Sequence, residues 1–324
     1  TIMASMFERA TSFNQDIGMW DVSNVTTMSL MFRGDFGQDP DYSFNQDIGE
    51  WNVSSVTDMR RMFQNAESFN QDIGAWDVSN VTTTAVMFSG ALSFNQDIST
   101  KTVNAGTPEE YTAWDVSSVT DMRLMFSRAE TFNQDIGEWN VSSVTNMNFM
   151  FQNADSFNRD IGEWNVSSVT NMRRMFQNAE SFNQDISTKT VNAGTSEEYV
   201  AWDVSNVTRM GQMFEGATSF NQNLGAWDVS GVVENGNSFG TDNTMENIFD
   251  DTSLSATNYD RTLVGWAGRD LNAGLVLGAS GIEYCNGGAF RTHLEEAYGW
   301  TIKGDTQASG CPDNLLAGDG FEDV

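Results

Sequence analysis

Residues 44–68 read FNQDIGEWNVSSVTDMRRMFQNAES. Phe44, Gln46 and Ile48 alternate with Asn45 and Asp47, the period of two expected of a strand. Trp51 and Val53 alternate in the same way, and Val56 follows. The period then changes. Met59, Met62, Phe63 and Ala66 fall at i, i+3, i+4 and i+7, which predicts one face of a short helix. Thr57 stands where an N-cap belongs, and Asp58 falls in the first turn, where the helix dipole favours an anion.

The string recurs down the chain, starting at Phe13, Phe44, Phe69, Phe94, Phe132, Phe157, Phe182 and Phe220, in steps of 31, 25, 25, 38, 25, 25 and 38 residues. The methionine face recurs with it, as in Met28/Met31/Phe32, Met122/Met125/Phe126 and Met172/Met175/Phe176. A 25-residue period with a few insertions marks a solenoid, because one repeat cannot bury its apolar face alone. The expected fold is an α/β solenoid, a leucine-rich-repeat-like stack of about nine turns with short parallel strands and a short helical turn. An all-β solenoid is the alternative if the Met-x-x-Met-Phe stretch is only a tight turn. The repeats span 1–254, a C-terminal capping segment 255–311, and an acidic tail or linker 312–324. Helices are expected over Tyr259–Gly268 and Ala289–Tyr298, with a short strand at Leu275–Gly278.

Sixteen Lys+Arg against 45 Asp+Glu leave a formal net charge of −29. That balance excludes phosphate-backbone binding, which needs clustered cations, and electrostatic landing on anionic lipid. No run of apolar residues is long enough to span a membrane as a helix, and no signal-peptide pattern is present. The chain opens in mid-repeat at Thr1–Phe7, as expected of a mature, truncated or partial chain. Cys285 and Cys311 both follow the repeats. They predict a disulfide and an oxidising compartment, with two buried free thiols as the alternative.

Stacking superimposes equal positions. Asn14, Asn45, Asn70, Asn95, Asn133, Asn158, Asn183 and Asn221 form one ladder, expected to satisfy backbone groups of the turns. Asp16, Asp47, Asp72, Asp97, Asp135, Asp160 and Asp185 form a second. These carboxylates need N–H donors, solvent or a cation; calcium is the natural cation, though one Asp per layer falls short of its six or more oxygens. Tryptophans 20, 51, 76, 114, 139, 164, 202 and 227 read as core if buried and as a carbohydrate-stacking platform if exposed. Glycosylation sequons occur at Asn24, Asn52, Asn80, Asn140, Asn165 and Asn206, in positions where turn residues are also expected.

Two nearly identical insertions, Ser99–Tyr111 and Ser187–Tyr199, lie 88 residues apart, so a three-turn block is tandemly duplicated. They are expected to project from one side, about 15 Å apart. Lys101, Tyr111, Lys189 and Tyr199 are the candidate contact residues, against the reading of tolerated surface loops. A third insertion falls near Gly34–Tyr42. No catalytic constellation emerges: His293 is the only histidine, and there is no Gly-rich phosphate loop.

The pattern Met-Phe-x-x-Ala-x-x-Phe-Asn-x-Asp-Ile-x-x-Trp-Asp-Val-Ser-x-Val-Thr-x-Met, running from Met3 to Phe249, resembles the BspA-type leucine-rich-repeat surface proteins, the DUF285 repeat. Gly265-Trp266, Tyr284-Cys285 and Gly299–Ile302 resemble the region after such repeats in secreted bacterial members. The resemblance implies a secreted or cell-surface protein acting in adhesion or protein binding, without defined catalytic residues. The expected partners are a protein, a glycan or further copies of the chain, and no cofactor beyond calcium is called for. A subunit that polymerises into a fibre or surface layer is the second expectation.

Overall fold

The computed structural model describes residues 1–35, 42–233 and 245–311. The tail 312–324 and most of the insertion at 34–42 lie outside them. Within the described residues, successive repeats are layers joined by single parallel bridges, from Ile2 to Thr27, Asp58, Thr83, Asp121, Asn146, Asn171 and Arg209. The short strands expected in each repeat are reduced to these one-residue bridges.

The helix expected at the methionines is absent, and the reason is visible in the hydrogen bonds. The N–H groups of Met59, Arg61, Phe63 and Asn65 donate to Thr83, Ala85, Met87 and Ser89 of the next layer, at 3.2, 3.0, 2.9 and 2.7 Å. Those of Met62, Gln64 and Ala66 donate back to Met59, Arg61 and Phe63. Cross-layer bonds thus alternate with tight i→i−3 turns, whereas an α-helix keeps every interior N–H to itself. Arg61 and Asn65 make the alternation sterically feasible by adopting positive φ, 58° and 56°. The same two columns are left-handed elsewhere: Leu124 and Arg128, Phe149 and Asn153, Arg174 and Asn178. Left-handed backbone every four residues turns Met59, Met62, Phe63 and Ala66 inward together, which imitates helical periodicity. Thr57 caps nothing. Its N–H and hydroxyl both donate to the Thr26 carbonyl one layer back, at 2.9 and 3.2 Å.

One apolar core runs through the layers from Ile17 to Ile302. Phe63 and Phe69 stack within a layer at 4.0 Å between ring centroids, and Phe44, Phe69 and Phe94 stack between layers at 6.0 Å. The tryptophans from Trp51 to Trp227 are buried, so they form no exposed platform; Trp20 in the first layer is exposed. Each buried indole N–H donates to an Ile carbonyl of an earlier layer, as Trp76 does to Ile48 (3.2 Å) and Trp164 to Ile136 (3.1 Å).

The stacking continues beyond the recognisable repeats. Helix α1 (Ala256–Ala267) is N-capped by Ser255. It occupies the place of a Phe-to-Trp segment and keeps that segment's bonds. Ser255 N–H donates to Asn221 Oδ1 at 2.8 Å, and the Trp266 indole to the Leu224 carbonyl at 3.0 Å. Strand β5 (Val276–Gly278) then bridges Met245 through Leu277 and pairs in parallel with β7 (Thr301–Lys303), Leu277 opposite Ile302. That offset is again 25 residues. Helix α2 (Gly288–Tyr298) lies between, and β6 (Glu283–Tyr284) pairs in parallel with β8 (Thr306–Gln307). Cys285 and Cys311 are joined by a disulfide, and the Asp260 carboxylate, fully buried, accepts the N–H groups of Cys285 (3.0 Å) and Asn286 (2.7 Å).

The Asn column carries a testable weight. Asn158 Oδ1 accepts the Asn183 N–H at 3.0 Å and the Gln184 side-chain amide at 2.8 Å. In Asn158→Ala the Asn183 N–H loses its acceptor while the Gln184 amide keeps the Asn158 backbone carbonyl at 3.1 Å, so the expected cost in denaturant unfolding is about 1 kcal/mol. Asn158→Asp, which keeps the acceptor, is expected to cost less.

Candidate functional site

Seven of the eight Asn side chains accept the N–H of the next Asn in the column at 2.8–3.0 Å, from Asn14 with Asn45 to Asn183 with Asn221, and Asn221 serves Ser255. The Asp column is built differently. Asp47, Asp72, Asp97, Asp135, Asp160 and Asp185 each accept the N–H two residues on, at 2.8–3.1 Å, and so close a turn within their own layer. Gly49 follows one such turn because a Cβ there would sit 2.6 Å from the Asp72 carbonyl oxygen of the next layer. Among the described residues, no group of three or more His, Cys, Asp or Glu side chains is placed to hold a metal ion. One carboxylate per layer, already held by its turn, does not assemble a calcium shell.

The two insertions fold as matching antiparallel hairpins, β1–β2 (Lys101–Val103, Tyr111–Ala113) and β3–β4 (Lys189–Val191, Tyr199–Ala201). These strands precede α1 in the chain. Each loop is locked in the same way. Glu110 Oε2 accepts the Gly106 N–H and Glu198 Oε2 the Gly194 N–H, both at 2.6 Å, while Asn104 and Asn192 take positive φ, 54° in each case. The loops 104–110 and 192–198 are exposed, while the feet of the hairpins are tied to the stack. The Tyr111 hydroxyl donates to the Ala75 carbonyl at 2.5 Å and the Tyr199 hydroxyl to that of Glu163 at 2.7 Å, which pins each hairpin back over earlier layers. Lys101 and Lys189 turn to carboxylates of the stack, Lys101 to Asp97 at 3.4 Å and Lys189 to Glu163 at 3.9 Å. Both pairs are exposed, so they contribute at most about 1 kcal/mol each. All four candidate contact residues are therefore brought to the feet of the hairpins and engaged within the chain.

Under each hairpin lies a cleft. The first, about 350 Å³, is lined by Glu50, Asn52 and Ser54 of one layer, Asp77 of the next, and Asn104, Glu109 and Tyr111 of the hairpin. The second, about 600 Å³, has the same plan 88 residues on, with Glu138, Asn140, Glu163, Glu197 and Tyr199 on its walls. Burial raises the pKa of Tyr111, and the nearby Asp77 and Glu50 raise it further; Tyr199 is raised by burial, then by Glu163 and Glu138. The sequon residues Asn52, Asn140 and Asn165 sit on these walls with Oδ1 accepting from Ser54, Ser142 and Ser167. Asn80 and Asn206 spend their amide N–H on the carbonyls of Ser54 and Ser167, both at 2.8 Å, and Asn24 donates to Ser23. His293 lies on α2 against the Tyr298 ring, remote from both clefts in sequence.

Two expectations follow. Tyr111→Phe and Tyr199→Phe each remove a hairpin anchor and are expected to cost about 1 kcal/mol. The loosened hairpin is expected to show faster amide exchange and cleavage between residues 104 and 110 or 192 and 198. The second concerns Asp155, whose pKa is raised by burial and then by Glu180 and Glu130 in the flanking layers. A carboxyl with a raised folded pKa disfavours the native state when ionised. Asp155→Asn is therefore expected to raise the melting temperature at pH 7, with the gain vanishing as the pH falls below the unfolded carboxylate range near ~4.

The architecture and its site define a repeat protein decorated by paired hairpins over paired clefts. The chain belongs to the DUF285 family. The family model described as "Mycoplasma protein of unknown function, DUF285" matches residues 1–111, 99–200 and 188–266. No curated protein and no solved structure matches the chain.

Proposed function

We propose that this chain is a non-catalytic binding module that acts outside the cell, a solenoid of the BspA-like leucine-rich-repeat kind capped by residues 255–311. The hairpin side is its contact surface. The observation that carries this reading is the pair of matching hairpins, each pinned over a cleft, on an otherwise uniform scaffold. A structural element repeated with its cleft intact supplies two-point attachment, which raises avidity without any new type of contact. The Cys285–Cys311 disulfide supports an oxidising, extracellular setting. No helix among the described residues is long and apolar enough to cross a membrane, in keeping with a module presented rather than inserted.

Self-association is the second reading. It is favoured by the exposed side chains of Ile2, Met6, Met19 and Trp20, a group of large apolar residues on neighbouring layers. A subunit that self-assembles into a fibre or surface layer buries these side chains against another copy.

Sedimentation of the purified chain and binding to protein-coated and glycan-coated surfaces separate the two readings. The binding reading expects a monomer that adheres through the hairpin side and loses adhesion when residues 100–112 and 188–200 are each replaced by the short Gly-x link of the other layers. Unchanged adhesion after that replacement sinks it. Concentration-dependent assembly abolished by Trp20→Ser and Met19→Ser is the outcome expected of the second.

A further inference from the structure

The two clefts share a chemistry that the scaffold does not explain. Glu50 and Glu109 on the first, and Glu138 and Glu197 on the second, are exposed carboxylates with no ion pair and no side-chain hydrogen bond among the described residues. Each pair lines a half-enclosed space, one carboxylate from a layer and one from the hairpin, together with a tyrosine whose hydroxyl is already spent on the stack. The ring therefore offers its face and edge rather than its hydroxyl. Carboxylates sharing such a space repel each other until a cation enters, and a fixed aromatic wall adds cation–π attraction. Lys101 is drawn off to Asp97, and Lys189 pairs with Glu163 on the wall of the second cleft at 3.9 Å, which leaves Glu138 and Glu197 without a cation. With 45 acidic residues against 16 basic, the chain has little positive charge of its own to fill both spaces. A second copy, carrying the same net charge of −29, is a poor occupant.

We propose that the two clefts are paired receptors for the Lys or Arg side chains of one basic, extended protein segment. The inference rests on the binding reading above and names its partner's chemistry. The clefts are three layers apart, about 15 Å at the spacing of parallel backbone. An extended chain rises about 3.3 Å per residue, so four residues cover about 13 Å. Side chains at i and i+4 of such a chain lie on the same face, whereas those at i and i+3 or i+5 lie on opposite faces. A segment with cations at i and i+4 thus reaches both clefts at once.

The test is fluorescence anisotropy with a labelled Thr- and Val-rich peptide carrying Arg at i and i+4. One comparison peptide has the same composition with the two Arg at i and i+3, and the other carries a single Arg with Thr in place of the second. The i, i+4 peptide is expected to bind at least about tenfold tighter than either, with affinity falling as salt rises. Glu50→Gln with Glu109→Gln, or Glu138→Gln with Glu197→Gln, is each expected to reduce it to the single-Arg level, and all four together to abolish it. Glu130→Gln with Glu180→Gln changes net charge equally but lies off both clefts, and is expected to leave affinity unchanged. If that control weakens binding as much as the cleft variants, the attraction is diffuse and the proposal fails. Equal affinity of the i+3 and i+4 peptides overturns the two-point arrangement. A wild-type chain that ignores all three peptides but still adheres to a glycan-coated surface through its hairpins refutes the cationic segment and leaves the binding module standing. Circular dichroism and melting curves for each variant confirm that the fold is intact.

Discussion

The structure depends on side chains that reach one layer along the stack and satisfy backbone there. Successive layers share a ladder of backbone bonds only along one stretch of the turn, as from Thr57 to Asn65, and the rest of each turn has none. The N–H and carbonyl groups there still have to be paired, because an orphan costs about 1–3 kcal/mol. The Asn carboxamide takes the next layer's N–H, the Trp indole gives to an earlier layer's Ile carbonyl, and the Thr hydroxyl gives to the previous Thr carbonyl. Each has the right polarity at the right height only if the layers keep register. The same bonds that satisfy the backbone therefore fix the spacing of the phenylalanine columns. They also hold left-handed residues such as Val86 (φ 65°) and Phe149 (φ 59°) in place against their intrinsic preference.

Much of this was legible as positions and little of it as geometry. The period, the inward set Phe, Ile, Trp, Val and Met, and the duplicated block all follow from spacing, because burial is a property of the repeat. The Met59/Met62/Phe63/Ala66 set misleads because inward-facing residues at i, i+3, i+4 and i+7 arise from turns as well as from helices. The signal that separates them is Asn65, Gly90, Asn153, Asn178 and Gly216 at one recurrent position, residues that tolerate positive φ. Thr57 was read locally, as a cap, when its recurrence as Thr26, Thr82, Thr120 and Thr145 marks a column. The C-terminal segment hid its kinship for a different reason. Helix α1 and β5 keep the docking bonds of a layer while exchanging nearly all of its residues, so only Trp266 and the 25-residue step from Leu277 to Ile302 betray it.

At the hairpins, sequence located the residues and structure reassigned them. Tyr111, Tyr199, Lys101 and Lys189 stand out because they interrupt a monotonous surface, yet each is tied to the stack. The tyrosine hydroxyls meet backbone carbonyls, which one sequence cannot reveal, since a carbonyl has no residue identity. What the hairpins leave open is the space beneath them, and its walls come from three separate layers. Such a site is distributed over about 60 residues and leaves no contiguous motif.

The disulfide has a mechanical reading. Cys285 and Cys311 are 26 residues apart, one layer of chain, and flank the parallel pairing of Tyr284 with Gln307. A stack of this kind comes apart from its ends, one layer after another, since each layer touches only its neighbours. A covalent link between these two neighbouring layers closes the turn between them into a ring. Tension applied beyond Cys311 then bypasses that turn and bears directly on the layer of Cys285, where the buried Asp260 holds the backbone to helix α1. The end at which unravelling would be easiest becomes a tether point, and a load must shear two layers together before it can unwind one.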